Sequence, residues 1–387
     1  MNNKPILFKN IKIIMENKVL NGYCLTVNNG VIEQIAEEGF KDNSCYTVID
    51  GQGKYLSPGF IDIHNHGNSG FDTMDATPEA LEEMSRFHLK NGVTGFLATT
   101  MTGSHKNTVA AINNAVSYMS KNINVGARLL GMYLEGPYFN MSKKGAQPPE
   151  YIKNTDVAEL REYIELGRGC IKVVALAPEL ENAKEAIGLL RMSGITVSAG
   201  HSDATYEETV KGINMGITEA THLYNGMRAF SHRESGIIGA CLLDERVYCE
   251  MICDGIHVSP SSMQIAVKMK GRDKLVLISD AMRAAGLKDG EYDLGGQTVT
   301  VKGSEARLAD GTLAGSTLTL DKAVRNMVRL AKVPLCDAVK MASLNPAKSA
   351  GLADRKGSIA VGKDADLILF DENIRIEKVW LSGVETA

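Results

Sequence analysis

The chain has 387 residues and the composition of a globular protein, with 44% hydrophobic and 23% charged residues and a formal net charge of -4 at pH 7. The length exceeds one ordinary domain and predicts a large barrel plus a smaller module. The charge argues against a general nucleic-acid binder, because Lys and Arg are scattered and supply no basic excess for a phosphate backbone.

Both ends of the chain have the pattern of β structure. The first part contains three strand-like runs, ILFKNIKII, YCLTVNNGVIEQIA and CYTVIDGQGKYL, and Asn29-Gly30 is a hairpin signal. The last part, GSIAVGKDADLILFDENIRIEKVWLSG, alternates in the same way. We therefore predict that residues 1–56 and 356–387 form one small β domain, and that residues 57–355 form a separate, larger domain.

Between the two ends, apolar strand-like runs alternate with amphipathic helical segments, which is the pattern of βα units around a parallel sheet. Eight strand candidates can be counted, at residues 59–64, 93–100, 128–135, 171–177, 195–200, 217–222, 248–253 and 274–280. Eight is the number that closes a barrel. The predicted fold class is α/β, a (β/α)8 TIM-like barrel with a small β-sandwich domain formed from both chain ends.

Helix starts are marked in two places. Thr77-Pro78 and Ser259-Pro260 each combine an N-cap residue with a proline at the first helical position. A helical pair, LDKAVRNMVRLA and LCDAVKMASLNPAKSAGL, follows the eighth strand. The glycine-rich pieces GQGK and GEYDLGG lack the context of a nucleotide-binding loop, so we predict turns there.

Seven cysteines are an odd number in a long chain, which predicts reduced and mostly buried thiols rather than disulfides. Cys249 and Cys253 have a C-x-x-x-C spacing, but VYCEMIC has the pattern of a strand, which favours core cysteines over a zinc site. No stretch approaches the roughly 20 apolar residues of a membrane span, and the N-terminal residues lack a signal-peptide pattern. We expect a cytoplasmic protein that binds neither nucleic acid nor membrane.

Polar residues at strand ends carry the functional signal, because barrel enzymes build their sites there. Five residues fall at predicted carboxyl ends of strands: His64, Glu135, His201, His222 and Asp280. His66 lies two residues beyond the first strand and His257 just beyond the seventh. Imidazoles and carboxylates are ligands for divalent metals. The pattern therefore predicts a metal-dependent hydrolase in the barrel.

Strand alternation sends His64 and His66 to the same face. For Asp280 we expect a different task, because a carboxylate beside a metal can take a proton from water and deliver it to a leaving amine. An aspartate that caps the next helix is the alternative for SDAMRAAG taken alone. Three other histidines lie away from strand ends, and we predict ordinary surface or cap positions for them: His88, His105 and His232.

At this point the motifs resemble a known family. SPGFIDIHNHG and GSIAVGKDADLILFD are similar to the first metal motif and the closing segment of the amidohydrolase superfamily. In chain order, YLEGPYFN, KKGAQPPE, AGHSDAT, THLYNGM, DGIHV, ISDAM and ADGTLAGSTLTL resemble the N-acetylglucosamine-6-phosphate deacetylases within it. The resemblance covers essentially the whole chain.

The resemblance implies one or two divalent ions, Zn or Fe. Glu135, His201 and His222 match the residues that hold the main metal, and Asp280 matches the catalytic acid/base. His64 and His66 match a pair that binds a second metal in some members and is lost in others. No Lys ends the fourth strand, ALAPE, where many relatives outside the deacetylase branch place a carboxylated lysine.

The resemblance also implies a set of substrate contacts, which are Ala146, Gln147, Asn225, Gly226, Arg233, His257, Leu313, Ala314 and Gly315. Arg233 matches an arginine that reaches the substrate phosphate from the neighbouring subunit, which implies a homodimer; without the resemblance it is an ordinary surface residue. Two positions depart from some members, since Gln147 replaces a histidine and Ser235 a proline. A Gln can donate to an acetyl carbonyl but cannot titrate near neutral pH.

The implied reaction is hydrolysis of the acetamide of N-acetylglucosamine 6-phosphate to glucosamine 6-phosphate and acetate. Its partner would be this small-molecule amino-sugar phosphate. The alternatives are an N-acetylgalactosamine-6-phosphate deacetylase, a cyclic-amide hydrolase, which the absent lysine disfavours, and a non-catalytic amidohydrolase-like scaffold.

Overall fold

A computed structural model describes residues 4–39, 44–121, 123 and 125–386, so residues 1–3, 40–43 and 387 of the predicted β domain lie outside the described residues. The N-terminal part forms four strands, which are β1 (Ile6–Ile14), β2 (Val19–Asn28), β3 (Val31–Glu37) and β4 (Thr47–Pro58). Asn29 and Gly30 join β2 to β3 with φ values of 49° and 80°. Two consecutive positive φ values are what a type I′ hairpin turn requires, as the sequence predicts.

The barrel elements follow in alternation. They are β5 (Phe60–Asn65), the short ribbon β6 (Gly67–Asn68) and β7 (Phe71–Asp72), α1 (Pro78–Lys90), β8 (Val93–Thr99), α2 (His105–Ser120), β9 (Arg128–Glu135), α3 (Val157–Gly167), β10 (Ile171–Leu176), α4 (Ala183–Met192), β11 (Thr196–Ala199), α5 (Tyr206–Met215), β12 (Glu219–Ala220), α6 (Gly236–Leu243), β13 (Tyr248–Ile252), α7 (Pro260–Lys270) and β14 (Leu275–Ile278). Short 3-10 turns lie at Thr73–Asp75, Met141–Lys143 and Pro149–Tyr151.

The rest of the chain begins with a three-stranded sheet and ends with three more strands. Its elements are β15 (Gly290–Leu294), β16 (Gln297–Lys302), β17 (Glu305–Arg307), α8 (Leu320–Arg329), α9 (Leu335–Ala342), α10 (Leu344–Ser349), β18 (Leu367–Phe370), β19 (Ile376–Leu381) and β20 (Val384–Glu385). The second helix of the predicted pair is thus two helices, divided at Ser343.

The prediction of turns at the two glycine-rich pieces is wrong. GQGK lies inside β4, where Gln52 and Gly53 have φ values of 54° and 75° and the register against β1 shifts by a bulge. GEYDL of the other piece is strand β15, and only Gly295 and Gly296 form the turn to β16. Positive φ values inside a strand are the backbone form of a bulge.

Eight parallel strands form the barrel, and each of the eight predicted strands is present. They pair in chain order from β5 through β8 to β14. The ring is joined at its mouth by a backbone hydrogen bond in which Asp280 N donates to His64 O at 2.9 Å. Every residue of β8 and of β14 is buried, as expected for parallel strands covered by helices. The predicted barrel fold class is confirmed.

Both predicted helix starts are present. Ala80 N donates to Thr77 Oγ1 at 3.2 Å before α1, and Ser262 N donates to Ser259 Oγ at 3.3 Å before α7. Such caps stabilise a helix by about 1 kcal/mol. They fix where each helix begins after its loop at the barrel mouth.

Strands from both chain ends form one seven-stranded sheet in the order β20-β19-β18-β4-β1-β2-β3. Its own core contains Phe8 and Trp380, whose rings meet edge to face with centroids 4.9 Å apart. The division of the chain into domains at residues 56 and 356 stays a prediction. Over the described ranges, none of the helices is both long and apolar enough to cross a membrane.

All seven cysteines are free thiols, and five of them are buried, as predicted. Cys249 lies in β13 and Cys253 directly follows it, and both belong to the barrel core. Their burial raises the pKa of each thiol, to about 12 for Cys249. They are inert core residues.

The predicted surface or cap position of His88 is wrong. Its side chain is buried between α1 and the barrel, where Nε2 donates to Asn65 Oδ1 at 3.1 Å and the ring lies 4.8 Å from the ring of Phe96. His105 does begin α2 and is exposed beside Glu162, and His232 is exposed. His88 ties α1 to the residue between His64 and His66.

His88 makes folding stability depend on pH. Burial lowers its pKa from the ordinary value of 6.5 to about 3. Below pH 6.5 the unfolded chain binds a proton at His88 that the folded chain does not bind. The contribution of the neutral His88 to the free energy of unfolding is therefore complete above pH 6.5 and is lost as the pH falls towards 3. We expect His88→Gln to remove this pH dependence. The free energy of unfolding of the variant is then lower than that of the wild type at pH 7, and this difference becomes about 2 kcal/mol smaller at pH 5.

Urea titrations in excess chelator at pH 7, 6 and 5 measure this narrowing. The exposed His105→Gln serves as the matched control, whose difference from wild type stays constant. If the free energies of unfolding of wild type and His88→Gln changed equally with pH, His88 would not be the source of the pH dependence.

Candidate active site

Six of the predicted residues meet at one end of the barrel. His64 and Glu135 lie at the ends of β5 and β9, and the other strand-end residues follow β11, β12 and β14 by two residues. His201, His222 and Asp280 have φ values of 46°, 31° and 48°. Non-glycine residues in this left-handed region are strained by about 1–3 kcal/mol each and cluster at functional sites. The strain turns these three side chains inwards.

Glu135 is the centre of the group and is almost fully buried. Its Oε1 lies 3.3 Å from His201 Nε2, 3.1 Å from His222 Nε2 and 3.5 Å from His64 Nε2. Its Oε2 lies 3.3 Å from His66 Nε2. One carboxylate therefore faces four imidazoles.

The ligand atoms divide into two compact triads. Glu135, His201 and His222 form one, and His64, His66 and Asp280 form the other; within each triad the atoms lie within 4.8 Å of one another. Asp280 Oδ1 is 3.3 Å from His66 Nε2 and 3.6 Å from His64 Nε2. Both sets are the N/O donors that borderline divalent metals accept.

The orientation of the imidazoles tests whether the set fits a metal. His201 Nδ1 donates to Lys143 O at 2.8 Å and His222 Nδ1 donates to Asn225 O at 3.1 Å. In the neutral rings their Nε2 atoms, 3.1 Å apart, would both direct lone pairs at each other and at Glu135, so a proton or a cation must lie between them. His64 Nε2 is buried and has no hydrogen-bond partner among the described residues. Such an array of inward lone pairs fits a divalent cation.

The electrostatics favour positive charge between the carboxylates. Burial alone raises the pKa of Glu135, but the surrounding imidazoles outweigh it and hold that pKa well below its usual range. Burial also opposes ionisation of Asp280, yet its hydrogen bond from His66 and the nearby imidazole charges lower its pKa. Burial lowers the pKa of His222, whereas Glu135 raises it to a net value of about 9. A bound metal would displace such protons.

A cavity of about 370 Å³ opens over these residues. Most of the predicted substrate residues line it: Ala146, Gln147, Asn225, Gly226, His257, Leu313 and Gly315. Ala314 is buried behind the wall. Arg233 is exposed on the loop before α6 and does not line the cavity of its own chain.

Gln147 is held more tightly than the sequence suggests. Its Nε2 donates to Glu135 Oε2 at 2.6 Å, and its Oε1 accepts from Thr102 N at 2.9 Å. The amide is thereby fixed in one orientation, and one N–H remains beyond the bond to Glu135. Gln147 therefore positions Glu135, and its second N–H is the one that could meet a ligand carbonyl.

One wall of the cavity was missed by sequence reasoning. Leu294 and Arg307 come from the three-stranded sheet β15–β17, and Gln297 Nε2 of that sheet donates to Ala146 O at 2.6 Å. Among the lining residues Arg307 is the one arginine, and none is a lysine. The Gly295-Gly296 pair between alternating residues was the available signal for this sheet.

The comparisons with known proteins agree with this geometry. A family model described as the amidohydrolase family matches residues 55–386. The chain therefore belongs to the amidohydrolase family, whose members use divalent metal ions.

Its relatives narrow the class. An N-acetylglucosamine-6-phosphate deacetylase of Bacillus subtilis (strain 168) is 42% identical over 96% of this chain and 95% of its own length. An N-acetylgalactosamine-6-phosphate deacetylase of Escherichia coli O157:H7 is 38% identical, with coverage of 96% and 97%. The crystal structure of N-acetylglucosamine-6-phosphate deacetylase from Pasteurella multocida matches with a TM-score of 0.94 at 32% identity, covering 99% of this chain and 100% of that chain. The predicted resemblance is confirmed.

Metal retention should depend on Glu135. In Glu135→Gln the inward lone pairs lose their central anion, so we expect metal content to fall about tenfold or more, with the far-ultraviolet circular dichroism unchanged. The exposed Glu150→Gln is the matched control and should keep wild-type metal. Elemental analysis of dialysed protein measures both. Wild-type metal content in Glu135→Gln would show that the ion binds elsewhere.

Proposed function

We propose that this chain hydrolyses the acetamide of N-acetylglucosamine 6-phosphate to glucosamine 6-phosphate and acetate. The observation that carries the proposal is the cavity in which Asp280 and the imidazoles form the floor and Arg307 lies in the wall. A hydrolytic centre and a cation for an anionic group then share one small space. The relatives named above are deacetylases of amino-sugar phosphates.

Glu135, His201 and His222 would hold one divalent ion, and His64 and His66 would supply donors for a second. A divalent cation held there would act as a Lewis acid on the acetyl carbonyl and would lower the pKa of the attacking water. We propose Zn²⁺ or Fe²⁺, because imidazole and carboxylate ligands suit both.

Asp280 moves the proton. Its lowered pKa keeps it ionised at neutral pH, so it can accept a proton from the attacking water. As the hydroxyl adds to the carbonyl carbon and the C–N bond breaks, Asp280 passes this proton to the departing nitrogen. Asp280 returns to its ionised form, and the remaining hydroxyl proton of the acetic acid passes to the amine or to solvent, so the products are acetate and the protonated amine.

Arg307 and the loop after β13 recognise the rest of the substrate. Arg307 Nε donates to Glu305 Oε2 at 2.7 Å and Nη1 donates to Gly311 O at 2.7 Å, which leaves Nη2 with no bond in the described part of the chain. His257 Nδ1 donates to Asp254 Oδ2 at 2.7 Å, so its Nε2 is free for a ligand. A guanidinium and an imidazole suit a phosphate.

We retain the homodimer as part of the proposal. Arg233 is exposed in its own chain, as a residue that serves a neighbouring cavity must be. The cytoplasmic location stays a prediction. A non-catalytic scaffold does not require a complete set of metal-ligating residues, and all six are present here. This supports the enzyme over the scaffold.

The galacto epimer is the second candidate, favoured by the 38% identity to the Escherichia coli enzyme. Deacetylation assays with both 6-phosphates and with unphosphorylated N-acetylglucosamine decide the substrate. The proposal expects the highest kcat/KM with the gluco 6-phosphate. A higher kcat/KM with the galacto epimer would replace it.

Loss of the Asp280 carboxylate should stop the chemistry and spare the main metal. We expect Asp280→Asn to lower kcat about 10²–10⁴-fold, because an amide cannot carry the proton. Metal content at Glu135, His201 and His222 should stay near the wild-type value. Asp354→Asn, on an exposed loop, is the control. A nearly unchanged kcat in metal-loaded Asp280→Asn would refute this role.

Arg307 should act on the phosphate alone. We expect Arg307→Gln to lower kcat/KM about 10–100-fold for the 6-phosphate, the value of one or two charge-assisted hydrogen bonds, and to change little for the unphosphorylated sugar. Arg233→Gln tests the neighbouring subunit in the same assay, and the exposed Arg161→Gln is the control. Equal losses on both substrates would remove Arg307 from phosphate recognition.

A further inference from the structure

A buried carboxylate lies behind the metal donors and belongs to neither triad. Glu250, in β13, has no exposed surface. Its Oε2 accepts a hydrogen bond from the backbone N of His222 at 3.0 Å and contacts His64 Nδ1 at 2.9 Å. One oxygen thus joins a residue from each triad.

The role of His64 at a metal decides which atom donates in its bond to Glu250. Oε2 already accepts the backbone N–H of His222, and a His64 Nε2 that offers its lone pair to a metal leaves the ring proton on Nδ1. His64 Nδ1 is then the donor to Oε2. Its Nε2 carries the lone pair and points at Asp280 and Glu135, at 3.6 and 3.5 Å.

The other imidazoles of the site are held differently. His201 and His222 donate to the backbone carbonyls of Lys143 and Asn225, which side-chain substitution leaves in place. His66 Nδ1 has no hydrogen-bond partner among the described residues. His64 is therefore the histidine whose ligand orientation depends on another side chain.

We propose that Glu250 is a positioning residue for the second divalent ion, because it fixes the tautomer and the direction of His64. The inference rests on the proposed metal-dependent function and deepens it. Carboxylates that orient metal-binding histidines in this way contribute about 10–100-fold to metal affinity. Glu250 acts on the second ion through the imidazole of His64. The imidazoles of His201 and His222 keep their own carbonyl acceptors, and in the main triad Glu250 bonds only the backbone N–H of His222.

Titration of metal-free protein with Co²⁺, followed by visible absorption and by elemental analysis, tests the proposal without substrate. We expect two ions in the wild type. Glu250→Leu removes the acceptor and should weaken the second ion about 10–100-fold, and the first ion much less, because only the backbone N–H of His222 loses a partner there. Glu250→Gln retains an acceptor oxygen for His64 and can donate its amide N–H to Glu219, so it should restore most of the second-site affinity.

Glu159→Gln is the matched control, because this buried carboxylate of α3 bonds Lys153 and Tyr163 outside the site. It should bind both ions as the wild type does. In a His64→Asn background, Glu250→Leu should cause no further loss, since its effect passes through His64. This second comparison holds even if one single variant folds poorly.

Three outcomes overturn the inference: a wild-type stoichiometry of one ion, an unchanged second affinity in Glu250→Leu, or additive losses in the His64→Asn background. Failure of the proposed function looks different. Protein that binds both ions in the expected way but deacetylates no amino-sugar phosphate would contradict the proposed reaction and leave the role of Glu250 intact.

Discussion

The structure depends on one buried anion. An isolated carboxylate removed from water costs several kcal/mol, so Glu135 is stable at the barrel mouth only because imidazoles from four other chain positions meet it there. Those positions lie on three different strands or just beyond them, and the required convergence explains why His201 and His222 adopt left-handed backbone conformations. The barrel brings the strand ends together, and the buried charge of Glu135 requires imidazoles at those ends.

The interior of the barrel is more polar than its apolar strands suggest. Ser279 Oγ donates to Asp62 Oδ2 at 2.6 Å, and Tyr133 OH bonds Thr221 Oγ1 at 2.9 Å. Burial raises the pKa of Asp62 to about 6. Barrel interiors are usually filled by branched aliphatic side chains. Beneath this site, hydrogen-bonded polar side chains replace some of the aliphatic ones. Such a layer stabilises the fold less than aliphatic packing does, but it fixes the orientation of the side chains above it.

Sequence reasoning found what local pattern encodes. The eight barrel strands are apolar runs, and five of them end at or just before a functional polar residue, so both the strands and most of the site could be predicted from the sequence. His88 was misplaced because its partner, Asn65, is distant in sequence and only tertiary packing brings them together. Glu250 escaped notice inside the strand YCEMI, where its role depends on a bond to His64. The sheet β15–β17 was missed because GEYDLGG was interpreted as a turn, although β16 alternates and buries Val299 and Val301.

The seven-stranded sheet has a consequence for synthesis. Strand β4 pairs with β18, which the ribosome makes roughly 300 residues later. At about 5–20 residues per second, that edge of β4 stays open for about 15–60 s while the whole barrel emerges. An unpaired edge invites association with other chains. In a growing polypeptide, the interval before β18 arrives is therefore the period in which a chaperone has most to protect.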